Sequence, residues 1–185
     1  MIFLRVNIVS GGLLIKGMVE VKDVDVKFIP FEQPHLLQVV AWFETEDEAI
    51  AWGGWQFEWP IKPSLFLERG ELPEVNYFVL AEGDEVVGFI EILRVNRYHY
   101  RLCRVAVHNQ RRGQKLGNLL VSAAINYIET ETPAMVVTLA VFQHNVVALN
   151  CYLKLGFQVT DQGPKLKTFN GVDWPLYQME RVISR

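Results

Sequence analysis

Apolar and polar positions alternate from Val24 to Phe31, the period of a half-buried strand. Pro34 then opens a helical run through Leu36, Leu37, Val39, Val40, Trp42 and Phe43. A second helical piece, Ala49 to Trp52, is preceded by Thr45 as N-cap and Glu48 as its capping-box partner, and Gly53-Gly54 stops it. Trp55 to Pro63 reads as an aromatic, proline-rich loop, and Ser64 to Arg69 as a short helix. Tyr77 to Glu82 and Glu85 to Leu93 are strands joined at a Gly83-Asp84 hairpin turn, and a third strand follows from about Tyr98 to Val107. Leu120, Val121, Ala124, Ile125 and Ile128 stand at helical spacing. Met135 to Val141 is a buried strand, Val146 to Leu155 a helix stopped by Gly156, and Phe157 to Thr160 the beginning of another strand. Gly163-Pro164 and Asn170-Gly171 mark turns before a last strand, Trp174 to Val182.

This order predicts an α/β (α+β) domain: a central mixed, twisted sheet of about six to seven strands flanked by helices. No repeat or linker divides the chain, so residues 23–185 are expected to form a single domain. Residues 1–22 are an extension with two readings. One is an edge hairpin turning at Ser10-Gly-Gly12; the other is a tail upstream of a start at Met18. Half of the 185 residues are apolar, enough for a substantial core. The formal charge of −3 argues against a protein that coats nucleic acid or an acidic membrane. Arg5 and Asn7 interrupt the first apolar run, no run approaches a membrane span, and a signal peptide is not expected; the location expected is cytoplasmic. Cys103 and Cys151 match no metal or redox spacing, and His35, His99, His108 and His144 are scattered, so no metal site is expected.

The chemistry concentrates between Arg101 and Ile128. A β-branched strand feeds an amphipathic helix through His108-Asn-Gln-Arg-Arg-Gly-Gln-Lys-Leu-Gly117. Such a turn points unpaired backbone N–H groups outward at the positive end of a helix dipole. Arg111, Arg112 and Lys115 add charge, so an anion, most simply a phosphate, suits the turn.

Two separated motifs give the chain its resemblance to the GNAT family of N-acetyltransferases. Val105-Ala106-Val107 followed by Arg112-Gly113-Gln114-Lys115-Leu116-Gly117 resembles that family's acyl-CoA loop. Asn145, Ala148, Tyr152 and Leu155-Gly-Phe157 resemble its second signature, and the order of elements agrees over about residues 24–183. The resemblance implies that acetyl-CoA is the co-substrate. It places the diphosphate on the N–H groups from Arg112 to Asn118, and the pantetheine arm along Val105, Ala106 and Val107 like an added strand. A backbone N–H near Val107 would face the thioester carbonyl. Asn145 would bond the arm, besides capping its helix, and Tyr152 would donate a proton to the leaving thiolate.

The chain departs from the family pattern twice. Lys115 stands where one glycine of the loop is expected, and Ala140 where some relatives carry a glutamate base. Glu91 on the neighbouring strand is the candidate base, with His99 and His108 behind it. The function implied is transfer of an acetyl group from acetyl-CoA to a primary amine by direct attack in a ternary complex. The alternative is a non-catalytic acyl-CoA sensor of the same fold. The acceptor is a small-molecule or peptide amine; neither nucleic acid nor membrane is a partner, and a homodimer is compatible. A pocket walled by Trp52, Trp55 and Trp59 would suit an apolar or cationic amine. A dinucleotide-binding domain is disfavoured because G-x-G-x-x-G is missing.

Overall fold

The computed structural model describes residues 8–10, 13–15, 26–57 and 59–184. Two short strands, β1 (Ile8–Ser10) and β2 (Leu13–Ile15), pair antiparallel with each other. The main sheet begins with β3 (Val26–Pro30) and is followed by helices α1 (Leu36–Val40), α2 (Glu46–Gly53) and α3 (Pro63–Gly70). Strands β4 (Val75–Glu82), β5 (Glu85–Arg94) and β6 (His99–Val107) lead into helix α4 (Leu116–Glu131). Strand β7 (Val136–Phe142), helix α5 (Val146–Lys154) and strands β8 (Gln158–Val159), β9 (Lys165–Phe169) and β10 (Val172–Val182) complete the chain.

The sheet runs β3-β4-β5-β6-β7-β10-β8, with β9 also on β10. All of its pairs are antiparallel except β6 with β7, where α4 makes the crossover. It therefore has eight strands, against the six to seven expected. The extra one is β9, whose exposed Lys165, Leu166, Lys167 and Thr168 show no buried stripe. Asn170 and Gly171, with φ of 49° and 77°, make the tight turn that pairs β9 with β10. The single helix expected from Pro34 to Phe43 is also shorter, a 3₁₀ turn at Gln33–His35 followed by α1. Trp42 and Phe43 are both buried, whereas a continued helix would set neighbouring side chains about 100° apart.

Each face of the sheet carries its own core. On one face Leu102, Val137, Leu139 and Met179 pack against Leu120, Ala124 and Ile128 of α4 and Tyr152 of α5. On the other, Tyr77, Val79 and Phe89 pack against Val39, Ala49 and Phe66 from α1 to α3. Helix α2 starts at Thr45, whose hydroxyl accepts from Glu48 N at 3.3 Å, and ends at Gly54 with φ 60°. Among the described residues no helix is long and apolar enough to cross a membrane.

Candidate active site

Strand β6 bends where Arg104 takes a φ of 50°, unusual for a side-chain-bearing residue, and the pairing register with β5 slips between Phe89 and Glu91. Beyond that bulge β6 and β7 part company. They pair only at His99–Val136, Tyr100–Val137 and Arg101–Thr138. Val105 to Val107 are thus left with a strand edge facing an opening rather than β7.

The turn after β6 delivers the chain into α4. Gly113 has φ 79°, and Lys115, the N-cap residue, sits in the left-handed region with φ 62° and ψ 10°. Lys115 thus occupies a glycine-type conformation, which accounts for a glycine pattern with a lysine inside it. Among the described residues none of the backbone N–H groups from Gly113 to Asn118 donates a hydrogen bond to protein. Arg111 is taken up by protein groups, and its Nε donates to Gln114 Oε1 within the turn at 3.3 Å. It pairs with Glu82, and with Glu85 at 3.0 Å, pinning the turn to the β4–β5 hairpin. Arg112 and Lys115 are exposed and make no ion pair among the described residues.

A cavity of about 490 Å³ opens between the diverging strands and is lined by Val105, Ala140, Val141, Asn145 and Tyr152. The Asn145 side-chain oxygen accepts from Ala148 N at 3.1 Å, capping α5. Tyr152 is only 7% exposed, with its ring edge-on to Phe157 and no protein partner for its hydroxyl among the described residues. Burial, more than the neighbouring Cys151, pushes the phenol well above its ordinary pKa and keeps it protonated. The structure thus brings Val105, Asn145 and Tyr152 to one cavity. Residues 112–118 lie outside its lining, where Gly117 approaches Val107 at the end of β6.

Glu91 is not placed as a base. Its side chain is 0% exposed and clamped by two guanidinium groups. Arg69 donates Nε to Oε2 at 2.9 Å and Nη2 to Oε1 at 2.7 Å, and Arg104 donates Nη1 to Oε2 at 2.6 Å. With both oxygens occupied and no surface, the carboxylate offers an incoming amine no approach. It instead fixes the two arginines; the bond from Glu91 raises the pKa of Arg69 against the opposing pull of burial. The histidines are no better placed. His99 Nε2 lies 2.7 Å from Thr138 Oγ1, with its pKa lowered first by burial and then by Arg101. His108 Nδ1 accepts from Gln110 N, and neither ring lines the cavity.

Sequence reasoning did not identify the cationic wall. Arg69, Arg101, Arg104, Lys165 and Lys167 all line the cavity, and among the described residues no carboxylate does. A Lys-x-Lys alternation just before Asn170-Gly171 was the available signal for the β9 hairpin that carries two of them. Of the three tryptophans expected to wall a pocket, the Trp55 side chain lies outside the described residues, and Trp52 and Trp59 do not form one together. Trp52 lines the cavity, but its Nε1 donates to Arg104 O at 2.7 Å and its ring stacks on Phe43 and Phe57. Trp59 is exposed and takes no part in the lining. Another hollow, of about 700 Å³ beside Phe31, Leu67 and Tyr127, touches none of the motif residues. Among the described residues no group of histidines, cysteines and carboxylates is arranged to hold a metal ion.

Residues 28–157 match the sequence model of the acetyltransferase (GNAT) family. The chain belongs to that family. Its fold agrees with solved N-acetyltransferases. One is spermidine N-acetyltransferase from Vibrio cholerae in complex with CoA and spermine, at 16% identity and TM-score 0.72, covering 85% of this chain and 95% of that one. The ribosomal-protein-S18-alanine N-acetyltransferase from Escherichia coli is similar at 19% identity and TM-score 0.67, covering 86% and 95%. A GNAT-family acetyltransferase from Streptococcus pneumoniae is similar at 17% identity and TM-score 0.65, covering 86% and 100%.

Proposed function

We propose that the chain is an N-acyltransferase that moves the acetyl group of acetyl-CoA to a primary amine by direct attack within a ternary complex. The observation that carries this reading is a succession of unpaired groups from the start of α4, past the end of β6, to the cavity. Among the described residues, unpaired N–H groups stand at the start of α4, Val105 to Val107 have a strand edge unpaired with β7, and the Tyr152 phenol lining the cavity has no partner. These fit the three parts of the co-substrate in turn: diphosphate, amide arm and thioester. When bound, acetyl-CoA supplies the activated acyl group. The N–H groups from Gly113 to Asn118, helped by the side chains of Arg112 and Lys115, hold the diphosphate; the Arg112 N–H is already given to Asn109 O at 3.4 Å. Val105, Ala106 and Val107 align the arm, and Asn145 retains a free side-chain amide for it. Tyr152, held protonated by burial, gives its proton to the departing sulfur. Glu91 has no part in proton transfer; its role is to position Arg69 and Arg104.

Acceptors named for the related structures, spermidine and a ribosomal protein, do not transfer by fold likeness alone. A polyamine is a polycation, and five cations line this cavity. The test is release of free thiol from acetyl-CoA across a panel of amines, alongside calorimetric titration of CoA. Thiol release with at least one amine is expected. Tight CoA binding with no release from any amine would instead support the non-catalytic sensor, an alternative that Lys115 and the missing base keep in view.

A further inference from the structure

The five cations occupy one side of the sheet. Strand alternation sets Leu102, Leu139 and Met179 against the α4–α5 core, so Arg101 and Ala140 point to the opposite face. Gln178 is paired with Ala140, Leu176 with Phe142, and Lys165 with Leu176, which carries the same orientation out to β9. Lys165 and Lys167 therefore share the face on which Arg69 of α3 and the bulge residue Arg104 stand. This is the side away from α4, whose first turn is suited to the diphosphate. Lys167 Nζ lies only 3.7 Å from where a Cβ on Gly54 would stand, so it hangs over the end of α2. Arg101, Lys165 and Lys167 make no ion pair among the described residues. Arg104 has only 10% of its side chain exposed, and its Nε is buried with no hydrogen-bond partner. Glu91 satisfies part of two of these cations and none of the other three.

We propose that the acceptor is a small amine bearing a carboxylate, an amino-acid-like molecule whose acid group seats against Arg104, Arg101 and the β9 lysines while its amine reaches toward Tyr152. The inference rests on the acyltransferase reading and names the substrate class of that same cavity. A polycation would enter against five cations of which Glu91 offsets only two in part, whereas a carboxylate supplies a counter-ion for Arg101, Lys165 and Lys167, which have none among the described residues. The same wall does a second job. An ammonium among fixed cations is destabilised relative to its neutral form, so the amine is driven to shed its proton to solvent before attack. That accounts for a cavity with no carboxylate or histidine among the described residues of its lining. The step balances simply. The neutral nitrogen forms a bond to the acyl carbon, the carbon–sulfur bond breaks with its electron pair on sulfur, and Tyr152 protonates the thiolate. The proton lost by the new amide nitrogen leaves through water and restores the phenol.

The test uses the full chain, acetyl-CoA and matched pairs: α- and ω-amino acids, each with its own carboxamide, and spermidine as polycation. Thiol release gives kcat/KM, and thermal melting in the presence of CoA gives binding. The best amino acid should exceed its carboxamide by on the order of tenfold or more, the size of one charge-assisted hydrogen bond. The margin counts against a bias, because a carboxamide's amine is the less protonated of the two. Lys167→Gln should narrow that ratio, with CoA affinity by calorimetry as the control for folding. Equal turnover of acid and carboxamide, or faster turnover of spermidine, overturns the proposal. If no amine releases thiol although CoA binds, the transferase reading fails by itself. Melting then decides the anion site: a rise in Tm with the acid and not with its carboxamide supports it, and equal or no rise overturns it.

Discussion

The Tyr152 hydroxyl makes no hydrogen bond to protein among the described residues, yet the ring is packed in the core against Phe157. Removing the oxygen therefore leaves no orphaned partner behind. Tyr152→Phe should lower kcat by about a hundredfold, the lower range for loss of a positioned general acid. The dissociation constant for CoA and the melting temperature should stay nearly unchanged. Steady-state kinetics with calorimetry and a thermal melt would check this; a fall in CoA affinity equal to the fall in kcat would remove the acid role. Glu91 invites the opposite expectation. Its replacement strands two guanidinium groups at a buried position, which costs about 3–5 kcal/mol when one partner of such a pair is lost. Glu91→Gln should lower Tm by roughly 10 °C, given about 2–4 °C per kcal/mol at this chain length. Differential scanning calorimetry reads the shift, and an unchanged Tm with abolished turnover would restore Glu91 as a chemical participant.

At the scale of elements, the entry to α4 carries two left-handed residues with different tolerances. Nothing stands within 4 Å of a Cβ built on Gly113, so the cost of Gly113→Ala comes from its φ of 79° alone, about 1–2 kcal/mol. Lys115 already bears a comparable strain at φ 62°. Lys115→Gly should leave stability within about 1 kcal/mol, since relief of strain is offset by greater freedom of the unfolded chain. The same change should weaken CoA binding several-fold at low salt and much less at high salt, because an ammonium is lost while the backbone donors remain. Titration of CoA at two ionic strengths measures both. These local devices were legible in the sequence. Glycines, caps and apolar spacing are short-range signals, and they located the turn, α4 and α5; only the family resemblance singles out Asn145 and Tyr152. The Arg69–Glu91–Arg104 clamp was not legible. It joins α3, β5 and a bulge in β6 through side chains that no periodicity links, so the sequence offers Glu91 only as a candidate base on a neighbouring strand. The same holds for β9, whose lysines reach the cavity only because the turn at Asn170-Gly171 pairs that strand with β10.

The two cores lie on opposite faces of one sheet, so neither can be lost without exposing β4 and β5 from behind. We propose that residues 23–185 unfold in one transition, and the buried tyrosines offer a way to see it. Tyr77 belongs to the α1–α3 core and donates to Phe66 O at 3.3 Å; Tyr152 belongs to the α4–α5 core. Burial raises the pKa of both phenols. An unfolded tyrosine ionises near pH 10, so above that pH the unfolded chain gives up protons that the folded one still holds. The folded state then binds more protons, and unfolding free energy must fall as pH rises; below about pH 10 these two groups contribute no pH dependence. The expected slope is at most about 1.4 kcal/mol per pH unit for each tyrosine. Urea unfolding between pH 8 and 11, followed by far-ultraviolet dichroism and by tryptophan fluorescence, should show coincident transitions whose midpoint drops only at the alkaline end. Tyr152→Phe should shallow that drop without splitting the transition. Two separate transitions, one moved by the substitution and one not, would mean that the faces unfold independently.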